Sequence, residues 1–389
     1  MAELCPATLA LPAGVDSYNR VMSGFDVQVL GAGIVGRTLA LSLARQGLRV
    51  ALQGQTPPAA DKDIRAYALN PAAVEQLRSV EVWDALPAHT ATPVYEMAVR
   101  GDAHDAEIDF SAWQQRVGAL AWITDAARLE EALASAVRKA SHLSIVDGEV
   151  EAALTAVCEG RASATRQRLG VAFERHAYGH RAIAARLVTD RRHGGTAHQW
   201  FRAPDVLALL PFDIPEPGRG YALVWSLPDA RAEALMAAAP AEFEAALMDA
   251  TGRAAGQLEL CSSRAAWPLQ YGRAERWCGP GWVLLGDAAH VVHPLSGQGL
   301  NLGLADVASL GRVIAEREPW RALGDERLLR RYVRERAAPT WAMGQATDGL
   351  LRLFSHPSPG LRELRNRGLT LVNRLPLAKR WLAAQALGT

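Results

Sequence analysis

Two glycine-bearing segments have residue types and spacings that could do chemistry. The first is Gly31-Ala32-Gly33-Ile34-Val35-Gly36. Gly31 permits a tight turn, Gly33 lets backbone amides approach a pyrophosphate, and Gly36 lets a helix pack closely on its strand. The phosphate would sit at the positive helix N-terminus. The second is Gly286-Asp287-Ala288-Ala289-His290, continued by His293-Pro294-Leu295-Ser296-Gly297-Gln298-Gly299-Leu300-Asn301-Leu302-Gly303. Here a strand delivers one carboxylate, Asp287, to a polyol-sized target, and small alanines keep the backbone close. The Gly297-Gln298-Gly299 turn then opens a helix whose free amides could face an anionic ring. The alternative at each place is a strand-to-helix turn with no ligand.

The surrounding elements suit those roles. Phe25 to Leu30 is a short apolar run of the kind that forms a buried parallel strand. After it, Leu39, Ala40, Leu43 and Ala44 recur at helical spacing and Gly47 ends the helix. A second strand follows at Leu48 to Leu52, completing a βαβ unit. A helix is expected over 71–86, and another after Asp125, an N-cap, with Leu129, Leu133 and Val137 on one face. Segment 93–110 alternates as strands do, and the runs AIAARLVTD, LALLPF and YALVWSL fall between 180 and 265. An Ala-rich helical stretch covers 230–250, and WVLLGDAAH begins as another buried strand. From Gly299 a helix places Leu300, Leu304, Val307 and Leu310 inward.

The fold class expected is α/β: a Rossmann-like, discontinuous nucleotide-binding domain with an inserted mixed β-sheet and a C-terminal helical segment. The nucleotide domain takes 22–90, 121–180 and 269–320, and the inserted substrate sheet 91–120 and 181–268. Helices fill 321–389. Residues 1–21 read as a loose extension, with Met22 a plausible start just before the first strand.

Composition narrows the function classes. A net charge of +1 gives no electrostatic reason for nucleic acid as a partner. The four cysteines, Cys5, Cys158, Cys261 and Cys278, form no CxxC pair, which argues against zinc or a disulfide framework and fits a reducing cytoplasm. No run is apolar enough to span a bilayer. His290 and His293 invite a metal reading, but no third ligand stands at metal spacing, so no metal site is expected.

The GDAAH segment with its HPLSGQGLNLG continuation resembles the GD motif of group A flavoprotein aromatic hydroxylases, whose prototype is para-hydroxybenzoate hydroxylase. It is most similar to the ubiquinone-biosynthesis hydroxylases of the UbiH/UbiF/VisC type. The resemblance runs from about Met22 to the C-terminus. It includes Asp63-Ile64-Arg65-Ala66-Tyr67-Ala68-Leu69, Trp83, Pro93 to Met97, Leu207 to Pro211, Trp267-Pro268-Leu269 and Arg365 to Val372. It implies the FAD-binding fold of the glutathione reductase type, with FAD, O2 and NAD(P)H or another electron donor. Arg65 should contact FAD, Asp287 should bind the ribityl chain, and Gly297, Gly299, Leu300 and Asn301 should line the pyrimidine edge. Pro294, Gly297 and Gln298 would flank the flavin ring, beside Gly31, Gly33 and Gly36 at the pyrophosphate. The implied activity is hydroxylation of an aromatic ring through a flavin C4a-hydroperoxide, the substrate being a polyprenyl-phenol precursor of ubiquinone. Leu210, Pro211 and Trp225 in the inserted sheet are the substrate candidates, although Trp200, Phe212 and Trp225 in that sheet are more readily core packing.

Two positions depart from the pattern. An acid should end the second strand and hold the adenosine ribose, yet the chain has Gln53-Gly54-Gln55 there. Either a neutral group does that work more weakly, or cofactor binding is altered. The family's Asp-Gly…Ser…Arg motif appears as Glu159-Gly160-Arg161-Ala162-Ser163-Ala164-Thr165-Arg166, one methylene longer at the acid. Two other functions stay open: a hydroxylase of a small soluble aromatic, and a non-catalytic scaffold within a biosynthetic complex. The Arg-rich C-terminal segment, with Arg362, Arg365, Arg367 and Arg374, could meet partners or the inner-membrane surface, since the implied substrate carries an isoprenoid tail.

Overall fold

The computed structural model describes residues 24–54, 63–101, 106–292 and 298–355. The segments 1–21 and 356–389, with Cys5, His293, Pro294 and Gly297, therefore lie outside the described residues.

The apolar strands expected at both cofactor segments meet in one six-stranded sheet. Its order is β16 (Cys278–Gly279), β17 (Trp282–Leu284), β9 (Ala152–Val157), β1 (Phe25–Leu30), β2 (Val50–Gln53) and β8 (Leu143–Val146). β1 pairs in parallel with β2 and β9, and β9 with β17, as burial on both faces requires. Helices α1 (Ile34–Arg45) and α4 (Ala126–Lys139) supply its core with Leu39, Leu43, Leu129, Leu133 and Val137. Asp125 caps α4 as its sequence position predicts, accepting from the Arg128 amide at 2.9 Å. Helix α8 (Gln298–Ala315) adds Leu304, Val307 and Leu310 to the same core.

A small antiparallel sheet, β3 (Ala66–Leu69), β7 (Ala121–Asp125) and β4 (Ala91–Val94), stands beside it. The third sheet is the large one. Its path is β18 (His290–Val291), β15 (Ala265–Ala274), β10 (Phe173–Thr189), β13 (Gly220–Pro228), β12 (Asp205–Pro211), β11 (Thr196–Arg202), β5 (Glu96–Arg100) and β6 (Glu107–Ser111), with β14 (Leu258–Leu260) also on β10. Positions 180 and 269 fall inside β10 and β15, which run on unbroken, and 91–94 belong to the small sheet.

Strand alternation divides the large sheet into two faces. Ile183, Leu187, Trp200, Leu209, Leu223 and Trp225 pack under Ala232 of α6 (Asp229–Ala237) and Phe243 and Leu247 of α7 (Pro240–Thr251). The opposite face presents Leu210 and Ala222 to Ala66 and Ala68 of β3 and Ile123 of β7. The Ala-rich stretch is thus two helices, because Ala238 and Ala239 are extended and Pro240 begins the second. The helix at 71 is likewise shorter than its apolar spacing suggests. α2 (Pro71–Ser79) stops where Glu81 turns left-handed at φ 58°, and a single 3₁₀ turn follows at Trp83–Ala85. Helix α3 (Ala112–Gln115) is one turn, α5 (Ala164–Arg168) is short, and α9 (Glu326–Ser355) runs 30 residues through Pro339.

Candidate cofactor and substrate site

The glycine loop leaves the end of β1 and enters α1. Gly31 has φ +108°, and a side chain on it or on Gly36 would strike backbone, at Cys158 and at Gly31 respectively. Both glycines are therefore explained by packing within the protein. Gly33 is different: a Cβ there would meet nothing within 4 Å. It is exposed and N-caps α1 without a side-chain hydrogen bond, so the first-turn amides face open space. A pyrophosphate would fit against these amides.

The second segment is brought against the first by Val35. Its Cγ2 lies 3.4 Å from where a Cβ on Gly286 would be, and 2.7 Å from one on Gly303 of α8. Asp287, at the turn after β17, is exposed and has no hydrogen-bond partner among the described residues. Protein nevertheless surrounds it deeply enough that desolvation raises its pKa, against the lowering influence of His290 and Arg161. An accessible, unpartnered carboxylate in a recess suits a polyol ligand.

Two buried groups hold this turn. Asp306 of α8 is fully buried and accepts from the Gly286 amide at 3.0 Å and from Arg336 Nε of α9 at 2.8 Å. The same carboxylate stands 2.6 Å from His290 Nε2. Burial works against its ionisation, but His290 and then Arg336 outweigh that and hold its pKa below the ordinary value. His290 is thereby a structural partner of Asp306. From the other side, buried Arg166 donates from Nη1 to the Ala288 carbonyl at 2.9 Å and from Nη2 to the Arg161 carbonyl at 2.8 Å. Its guanidinium carbon lies 3.9 Å from the centre of the Phe173 ring. Glu159 accepts from Ser163 Oγ at 2.6 Å, the Thr165 amide at 3.0 Å and Thr165 Oγ1 at 3.0 Å. Its longer side chain thus organises the loop that carries Arg166. Nothing in the sequence singled out Asp306 or Arg336, whose roles arise from contacts 16 and 30 residues distant in the chain.

The remaining candidates are placed as follows. Arg65 forks onto Asp63, with Nε–Oδ1 at 2.9 Å and Nη2–Oδ2 at 2.6 Å, and reaches Glu130 at 3.1 Å. Asn301 is buried; its Nδ2 donates to the Ala68 carbonyl at 2.9 Å and to Gln298 Oε1 at 3.1 Å, while its Oδ1 accepts from the Asn70 amide at 3.1 Å. Its side chain therefore fastens the first turn of α8 to β3 and α2, leaving half-buried Gly299 and Leu300 beside it. Leu210 lies on the face toward β3. Trp225 does not: it is fully buried under α7, 6.0 Å from the Phe243 ring, where a ligand on the β3 face cannot touch it. Pro211, paired with Tyr221, is buried with the same strand parity as Trp225. Among the described residues, no group of three or more His, Cys, Asp or Glu could hold a metal ion.

An open helix N-terminus at Gly33, an Asp287 without a partner among the described residues and a separate large sheet are the parts a dinucleotide-binding enzyme with its own substrate sheet requires. The residues fit FAD. The chain belongs to the FAD binding domain family, whose model matches residues 24–148 and 130–347. It is similar to the ubiquinone hydroxylase UbiL of Rhodospirillum rubrum, 30% identical over 94% of this chain and 90% of that protein. It is also 29% identical to the 3-demethoxyubiquinol 3-hydroxylase of Escherichia coli, over 93% and 98% of the two chains. Its fold is that of the p-nitrophenol 4-monooxygenase PnpA of Pseudomonas putida, with a TM-score of 0.73 at 18% identity, covering 93% of this chain and 98% of that one. The protein is an FAD-dependent monooxygenase that uses O2 and a reduced electron donor.

Proposed function

We propose that this enzyme hydroxylates the aromatic ring of a polyprenyl-phenol precursor in ubiquinone biosynthesis. The observation that carries the reading is a continuous path of contacts. Leu210 on the large sheet clusters with Ala66 and Ala68 of β3, and Asn301 ties Ala68 to the first turn of α8. An apolar sheet face is thus joined to the positive end of the helix that the flavin ring is expected to meet. Once bound and reduced by the electron donor, FAD would supply the activation of O2 for hydroxylating the ring. The protein's part is to orient the ring carbon, keep water out and stabilise negative charge at the α8 N-terminus.

The same face speaks against a small carboxylated aromatic. Arg186, which projects from β10 over the Phe212 ring, is already paired with Asp125 at 2.7 Å and with the Asp63 carbonyl at 2.6 Å. It is no free counter-ion for a substrate acid. Similarity to the two named ubiquinone hydroxylases over nearly the whole chain supports the same substrate class. Among the described residues no helix is long and apolar enough to cross a membrane. A tailed substrate would be met by peripheral contact at a membrane surface.

Deleting the gene and profiling quinones by mass spectrometry tests this. A prenylated intermediate lacking one hydroxyl should accumulate, and its structure names the ring position. An unchanged profile overturns the substrate assignment.

A further inference from the structure

We infer that this chain holds the adenosine end of FAD without reading its ribose hydroxyls, because Gly54 closes the position from which a carboxylate would reach them. In a βαβ dinucleotide site, an acid at the end of the second strand accepts hydrogen bonds from the ribose. Here β2 ends at Gln53, and its carbonyl is locked onto the glycine loop by the Gly31 amide at 2.7 Å. The next residue, Gly54, has φ +147°, a conformation side-chain-bearing residues rarely adopt. A Cβ there would stand 2.6 Å from the Ala32 amide nitrogen, 3.1 Å from the Ala32 Cβ and 3.3 Å from the Gly31 carbonyl carbon. Any side chain at 54 must therefore displace the loop that presents amides to the pyrophosphate.

Among the described residues, the polar groups beside Gly54 do not replace the acid. Gln53 Oε1 accepts from Gln28 Nε2 at 3.0 Å, and the same nitrogen reaches the Gly148 carbonyl at 3.4 Å. Gln28 itself is 3% exposed. The strand end is a neutral, internally bonded amide pair in place of a free carboxylate. β2 and the glycine loop approach closely here, and Gly54, having no side chain, is what permits it.

The inference rests on FAD being the cofactor, and its test separates the two claims. Apoprotein is titrated with FAD and with an FAD lacking the adenosine 2′-hydroxyl, following flavin fluorescence or heat. The two dissociation constants should agree within about twofold, whereas a charge-assisted bond to that hydroxyl is commonly worth roughly tenfold or more. A tenfold preference for FAD overturns the inference while leaving the cofactor in place. Absence of any FAD binding overturns both. A second arm uses Gly54→Glu. A simple missing acid predicts tighter FAD binding on restoring it, but the closed geometry predicts binding weaker by about tenfold or more, as for lost oriented phosphate contacts. Tighter binding by Gly54→Glu, with folding checked by circular dichroism, overturns the proposal. If that variant does not fold, the deoxy cofactor still decides.

Discussion

Val35 of the glycine loop and Gly303 of α8 meet so closely that a Cβ on Gly303 would lie 2.7 Å from Val35 Cγ2. The contact couples the two halves of the proposed cofactor site: α1, whose N-terminus would receive the pyrophosphate, and α8, whose first turn would meet the ring. Val35 is β-branched and cannot swing aside cheaply. Gly303→Ala should therefore cost about 1–3 kcal/mol of stability by overpacking, despite alanine's better helix propensity. FAD affinity should fall with it. Val35→Ala/Gly303→Ala together should recover most of the loss, giving a coupling energy of about 1 kcal/mol or more in a double-mutant cycle read by urea denaturation. Additive losses would mean that the helices are not held by this contact.

The Asp306 carboxylate links three elements, so its removal should be felt globally. Asp306→Asn leaves half-buried Arg336 without its fully buried anion, and a loss of about 3 kcal/mol or more is expected. The sign of the pH dependence follows from its lowered pKa. A carboxyl depressed in the folded state contributes stability above its unfolded pKa and loses it as pH falls through the folded value. The gap between wild type and Asp306→Asn should thus be widest near neutrality and narrow on acidification below the ordinary aspartate range. Denaturation midpoints at neutral and acid pH measure it, and a constant gap would contradict the ionised pairing.

How much of this could be read in the sequence depends on how local each constraint is. Gly31 and Gly36 were readable because turn and helix packing act within six residues. Asp125 as a cap and Leu129, Leu133 and Val137 as a core stripe were readable for the same reason. Asp306 was not, because its meaning comes from Gly286, His290 and Arg336, brought together only by tertiary folding. The alternation through Tyr221, Leu223 and Trp225 was visible, but which face receives α6 and α7 is not written in a single strand. The vacant acid at the end of β2 was visible as an absence. Its steric cause, the approach of Gly54 to Ala32, needed coordinates.

The two faces of the large sheet should answer differently to substitution. Trp225→Ala removes a fully buried indole beside Phe243 and should cost about 3–5 kcal/mol, with little change in KM for whatever activity remains. Leu210→Trp adds bulk on the face toward β3, where Leu210 is only partly buried. It should raise KM by about tenfold or more, equivalent to about 1.4 kcal/mol, while FAD binding stays near wild type. Steady-state kinetics beside flavin titration separates the two. If Trp225→Ala alone raised KM in a stable protein, the substrate would have to be sought on the helix-covered side.

Asp287 should show opposite effects on cofactor binding and on the empty protein. Its carboxylate is exposed on one side, desolvated by surrounding protein and unpartnered among the described residues, so its pKa is raised. An acid whose pKa is raised in the folded state favours folding less when ionised, and the apoprotein gains from its protonation as pH falls. Asp287→Asn should accordingly leave the melting temperature of the apoprotein unchanged or slightly higher. If Asp287 is the acceptor for the ribityl hydroxyls, as its position proposes, the same substitution removes that charge and FAD affinity should drop by about tenfold or more. Wild-type affinity should itself decline on acidification, beginning above the ordinary aspartate range, whereas Asp287→Asn should give a flat profile there. Thermal melts of apoprotein and FAD titrations across pH read both effects. A variant that binds FAD like wild type would remove Asp287 from the cofactor site, and a destabilised apoprotein would make it a structural residue instead.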